Sequence, residues 1–211
     1  MFFILFDGCV YFVIFSKGYL NAKYKDYKVG EALDMSDEDL ESVTARLVDF
    51  VKGKAESIDI EVSVRGSYGR FFNDKDISHM VDVKNIILRM RDLLVITSFA
   101  AFIFAIFLLL NKSTKEFRNG ILIADGIIVL LAVVIVIAAT TNLNWLIVFC
   151  HNIFFNNTNW LLDPKYDNLI FLCPEKLFID AGKVCGAIWG VYILLITALG
   201  IVIPLRLSHR R

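Results

Sequence analysis

The sequence reads as an all-α membrane protein, with four transmembrane helices carrying an outward-facing, mainly helical extracytoplasmic region. Three observations lead there. Of the 211 residues, 57% are hydrophobic and 21% charged, against about 45–50% and about 25% in ordinary soluble domains, which excludes a soluble single domain. Leu93–Leu110 and Val184–Leu205 contain no charge, and each is long enough to cross a hydrocarbon core of about 30 Å. Most acidic and basic residues lie in the regions between such runs. With 22 Lys+Arg against 22 Asp+Glu there is no basic field, so nucleic acid is not expected as a partner.

The elements follow in chain order. Met1–Ser16 is apolar except for Asp7 and shorter than the roughly 20 residues of a full span. It lacks the basic n-region and small-x-small site of a signal peptide, so it reads as a short first span. Ser36–Lys52 opens with an N-cap serine and an acidic turn, then places Leu40, Val43, Leu47, Phe50 and Val51 at helical spacing. Ile58–Val64 alternates with period two and reads as one short strand, followed by a turn at Arg65–Gly69. Asn73 or Asp74 caps the next helix. No Pro or Gly occurs between Phe72 and Leu110, so this helix continues into the second span.

A third span covers Ile121 to about Thr141 and holds Asp125 a turn inside its start, where a structural reading outweighs a functional one. The apolar run Asn142–Phe155 is too short to cross again and lies in the interface or re-enters shallowly. Loops with Pro164 and Pro174 lead to the fourth span at 184–205. Lys112, Lys115 and Arg118 in loop 111–120, and Arg206, Arg210 and Arg211 in the tail 206–211, place these ends in the cytoplasm. Regions of about 17–92 and 142–183 then face outward. Lys17, Lys23, Lys25, Lys28, Arg89 and Arg91 oppose that orientation, although so long a segment is poorly governed by the positive-inside rule.

Two histidines fall in the outward regions. His79 and Asp82 share a helix face, where the carboxylate orients the imidazole or keeps it charged; a plain surface histidine is the more frequent meaning of that pattern. His151 shares a greasy face with Ile147, Val148, Phe154 and Phe155. It is either a buried histidine satisfied by a backbone carbonyl or a base placed where acyl chains reach it. Asp163 and Glu175 adjoin prolines, as turn caps commonly do. His209 lies in the basic tail on the far side. The motifs HExxH, GxSxG, P-loop and GxGxxG are absent from the sequence, which lowers metalloprotease, serine hydrolase, nucleotide-driven pump and dinucleotide enzyme. Cys9, Cys150, Cys173 and Cys185 form no CxxC, and Cys150 points about 100° from His151 on a helix. Two histidines without a third ligand do not make a metal site, and no cofactor is expected.

Asp76-Ile77-Ser78-His79-Met80-Val81-Asp82-Val83-Lys84 and Phe149-Cys150-His151-Asn152-Ile153-Phe154-Phe155, with Trp160, Asp163-Pro164, Asp167-Asn168-Leu169-Ile170 and Pro174-Glu175, resemble the bacterial lipoprotein intramolecular transacylase (Lit) family over nearly the whole chain. The resemblance implies a multi-pass enzyme of the cytoplasmic membrane of low-GC Gram-positive bacteria, with its site on the outer side. Its substrate is a diacylated lipoprotein embedded in membrane lipid. The sn-2 acyl chain moves to the α-amino group of the same diacylglyceryl-cysteine, giving the lyso-form lipoprotein. It further implies that His79 and His151 are the catalytic pair, supported or oriented by Asp82, Trp160, Asp163, Asp167 and Glu175. The chain departs from the family in its short first span and in aspartates where glutamates predominate before His79. Two other classes stay open: a non-enzymatic four-span envelope or lipid-binding protein with structural histidines, and an intermolecular acyltransferase using Cys150.

Overall fold

The computed structural model describes residues 15–208. The short first span expected over residues 1–16 falls almost wholly outside them, as does His209. Described elements run α1 (Lys17–Asp26), α2 (Val29–Leu33), α3 (Asp37–Val51), β1 (Glu61–Val64), β2 (Ser67–Arg70), α4 (Asp74–Leu110), α5 (Thr114–Phe154), α6 (Leu169–Leu172) and α7 (Glu175–Ser208).

The polar half of the chain builds a small core of its own. Ser36 caps α3 by accepting from the Asp39 amide at 3.1 Å, and the five apolar positions expected to face inward are all buried together with Val48. Leu20 and Tyr24 of α1, Leu33 of α2, Phe71, Phe72 and Leu172 belong to the same cluster. Tyr24 donates to the Leu172 carbonyl at 2.9 Å, which ties α1 to α6 across the sequence. Neither α1 nor α2 is expected from the sequence. The first buries only Leu20 and Tyr24, and the second is one turn bounded by left-handed Lys28 and Asp34, so neither carries a periodic signal.

The single expected strand is half of a hairpin. Its paired part is Glu61–Val64, and the segment expected as a turn contains β2, antiparallel to it with Val64 opposite Ser67. Arg65 and Gly66 both have positive φ, 52° and 77°, as a two-residue hairpin turn requires. β2 is four residues long and largely exposed, hence its missing alternation.

Helix α4 runs unbroken for 37 residues. Met80 is buried in the core, whereas Ile96, Phe99, Phe102 and Phe104 are exposed, as lipid-facing residues are. In α5 the backbone turns at Asn142 (φ −159°, ψ 88°), just after the expected end of the third span at about Thr141. Its Oδ1 accepts from the Trp145 amide at 2.9 Å and so caps the helical segment that carries His151. Among the described residues α4, α5 and α7 are long and apolar enough to cross a membrane. Helices α5 and α7 pack closely: a Cβ on Gly200 would lie 3.1 Å from Ile121, and buried Asp125 accepts from Thr197 at 2.6 Å. That bond agrees with the structural reading of Asp125.

Candidate active site

The base of α4 and the end of α5 bring the two histidines together. Asn73 caps α4 in a reciprocal box with Asp76, whose amide donates to Asn73 Oδ1 at 2.8 Å. One turn on, His79 is 6% exposed, so the surface reading does not hold. The His79 and His151 ring centroids lie 5.9 Å apart with 32° between planes, within direct or one-water reach. Phe155 packs edge-on against His79 at 4.9 Å, and Trp160 lies 4.9 Å from His151. The pair therefore sits between aromatic walls.

The two imidazoles differ in their bonding. His151 Nδ1 lies 2.7 Å from the Ile147 carbonyl oxygen. A carbonyl only accepts, so Nδ1 carries the proton and in the neutral ring Nε2 keeps the free lone pair. His79 Nδ1 is buried with no hydrogen-bond partner. Burial pushes the His79 pKa down to about 4, His151 adds to this, and Asp82 opposes it. His79 is therefore neutral at pH 7. This corrects the expectation that Asp82 orients or charges it: the Asp82 carboxylate instead accepts from Asn157 Nδ2 at 2.8 Å.

The loop from Phe155 to Asn168 is laced to the start of α4. Asn159 Nδ2 donates to Ser78 Oγ at 2.9 Å, and Asn168 to the Phe71 carbonyl at 2.8 Å. Asp167, 2% exposed, is the hub: it accepts from Asn73 at 2.7 Å, Lys75 at 2.9 Å and the Asp163 amide at 2.7 Å. Burial favours its neutral form, yet these three donors together hold its pKa below the usual carboxylate range. Lys75 also donates to the Leu161 carbonyl. Asp163 Oδ1 accepts from the Lys165 amide at 2.9 Å, a turn role. Glu175 is exposed in the first turn of α7, where it complements the helix dipole, and it belongs to none of the contacts around the rings.

Of the expected residues, His79, His151 and Trp160 share one cluster; Asp82 bonds to Asn157, Asp167 ties the loop to the start of α4, and the Asp163 and Glu175 carboxylates serve a turn and a helix start. Asn73 was expected as a helix cap but not as a partner of Asp167, and Lys75, Asn157 and Asn159 were missed. The run Asn156-Asn157-Thr158-Asn159 after the greasy helix is the signal that marks two of them; nothing in the sequence pairs Lys75 with Asp167. No group of three His, Cys, Asp or Glu that could hold a metal occurs among the described residues.

The fold is shared with solved structures of the membrane integral lipoprotein intramolecular transacylase Lit from Bacillus cereus. One aligns with a TM-score of 0.67 at 21% identity, covering 99% of this chain and 88% of that one. A form carrying a histidine-to-alanine substitution aligns at 0.76 and 18%, covering 100% and 90%. A histidine-to-arginine form aligns at 0.69 and 19%, covering 99% and 87%. A comparison with curated proteins gives no match. The model of the family described as lipoprotein intramolecular transacylase Lit matches residues 1–178; with the membrane-crossing helices and the shared fold, this multi-pass membrane protein belongs to the Lit family of acyltransferases.

Proposed function

We propose that the protein moves the sn-2 acyl chain of a diacylglyceryl-cysteine lipoprotein onto the α-amino group of the same cysteine, by acid/base catalysis from His79 and His151. The observation that carries this reading is the pairing of two imidazoles in unlike hydrogen-bonding states, 5.9 Å apart. His151 offers an unprotonated Nε2. His79 is neutral and carries one N–H, with Nδ1 unpartnered.

An α-amine with a pKa of about 7.7–8.0 is substantially protonated near neutral pH, and only its neutral form attacks. His151 takes the proton as the amine nitrogen adds to the sn-2 ester carbonyl through a ring of about eight members. The oxyanion of the tetrahedral adduct accepts from the His79 N–H. Collapse breaks the bond to the glycerol oxygen, which receives the proton from His151. One C–N bond replaces one C–O bond, and the proton passes from nitrogen to oxygen. Both reactants belong to one molecule, so holding the folded conformer supplies effective molarity and no acyl-enzyme is needed. Phe155 and Trp160 keep bulk water from the ester.

The same reading puts four spans in the membrane, with regions of about 17–92 and 142–183 and the histidine pair on the outer side. The basic loop 111–120 and the tail favour that orientation. The test is expression in a host that makes only diacylated lipoproteins, with fragmentation mass spectrometry of their N-terminal peptides. The expected product is the N-acyl, S-monoacylglyceryl form, lost in His79→Ala and His151→Ala. Unchanged peptides despite confirmed membrane expression would overturn the assignment.

A further inference from the structure

His79 presents a buried Nδ1 with nothing bonded to it, although a carboxylate is available three residues away on the same helix face. Asp82 and the neighbouring His151 are the charged or titratable groups that act on His79; Phe155, packed against its ring, carries no charge. An aspartate free to turn toward an orphaned imidazole nitrogen gains a charge-assisted hydrogen bond and draws a proton onto the ring. Something must therefore hold Asp82 elsewhere.

The loop after α5 supplies that hold. Asn157 Nδ2 donates to Asp82 Oδ2 at 2.8 Å. Its amide is not free to flip, because its Oδ1 accepts from the Asn159 backbone amide at 3.0 Å. The Asn159 side chain in turn donates to Ser78 Oγ at 2.9 Å, one turn before Asp82 on α4. The chain Ser78–Asn159–Asn157–Asp82 thus begins and ends on the helix that carries His79 and presents an N–H donor to the carboxylate.

We propose that Asn157 is a positioning residue that engages Asp82, withholds its carboxylate from the buried Nδ1 of His79 and so keeps that imidazole neutral. It acts through Asp82 and touches no reacting atom. The catalytic consequence rests on the proposed transacylase reading, in which His79 must remain a neutral donor; the protonation claim does not, and the two are tested separately.

The experiment is NMR titration of the full chain in detergent with isotopically labelled histidine, which the total of three histidines makes assignable by single substitutions. In the native protein the His79 midpoint should lie well below the usual histidine value, near the 4 to which burial pushes it. In Asn157→Leu, which keeps the volume and removes the donor, its midpoint should rise by about one unit or more. In Asn157→Leu/Asp82→Asn the rise should vanish, because no carboxylate remains to be released. Asn157→Ala, which also removes the donor, serves if the leucine variant fails to fold, as judged by the His151 signal. An unmoved His79 midpoint in the folded single variant, or an equal rise in the double variant, would overturn the proposal whether or not the protein transfers acyl chains. If acyl transfer is its activity, the acidic limb of the pH–rate profile moves up with the midpoint in the single variant alone. A limb that stays fixed while His79 shifts would refute the catalytic consequence.

Discussion

His151 Nδ1 and the Ile147 carbonyl oxygen are 2.7 Å apart on successive turns of α5, so a bond within one helix selects the nitrogen that faces the site. This separates the structural role of the ring from its chemical one. His151→Asn places an amide nitrogen where Nδ1 lies and should keep Tm close to native, while transfer falls by about 100- to 10,000-fold for want of the base. Thermal unfolding in detergent and product mass spectrometry read the two effects separately; activity surviving in a folded His151→Asn would remove the base from this position.

Two groups near the base of α4 should give opposite pH dependences of stability. Burial pushes the folded His79 pKa from 6.5 down to about 4, so between those values the unfolded chain binds the extra proton and acidification destabilises the fold. For Asp76, burial is the main cause of a pKa raised from 3.8 to about 6. Between those values the folded chain holds the extra proton, and acidification stabilises it. From pH 7 to 4.5, Tm should therefore rise in His79→Phe and fall in Asp76→Asn. Slopes of the same sign in both variants would contradict this.

Asp167→Ala removes the acceptor of three donors and takes from Lys75 its charged partner, leaving it the Leu161 carbonyl and partial access to water. The expected cost is about 2–3 kcal/mol, with faster hydrogen exchange confined to residues 156–168 and the start of α4. Exchange that stays native there would show that the loop is held by its apolar contacts instead.

The Trp160 ring lies 4.9 Å from that of His151 and offers it an aromatic surface. Aromatic pairs are worth about 0.5–1.5 kcal/mol beyond area. Trp160→Ala should accordingly lower the transfer rate by about two- to tenfold, and Trp160→Phe should recover most of that loss. Equal losses in both variants would point to the indole N–H.

Where a segment's signal is local, the sequence was sufficient. Ser36 with its acidic turn and evenly spaced apolar residues specifies α3 without help from distant residues. The absence of Pro and Gly from Phe72 to Leu110 specifies the length of α4, and Asn142 marks the turn in α5. The hairpin was only half legible, because Ser67–Arg70 pairs through its backbone and shows no inward face. At the site, the histidines were legible as residues but the state of His79 was not. Its neutrality comes from burial beneath Phe155 and from a loop distant in sequence that claims Asp82, whereas helical spacing alone couples Asp82 to His79.

The uninterrupted length of α4 has a mechanical meaning. His79 and the apolar stretch 93–110 belong to one rod, and His151 follows the apolar part of α5 after a turn at a single residue. No flexible linker absorbs movement between bilayer and imidazole. An axial slide of α4 by one residue carries His79 about 1.5 Å past His151, a large change for two rings whose centroids lie 5.9 Å apart. A series of bilayers graded in acyl length should therefore register on the spacing of the pair before it registers on the fold.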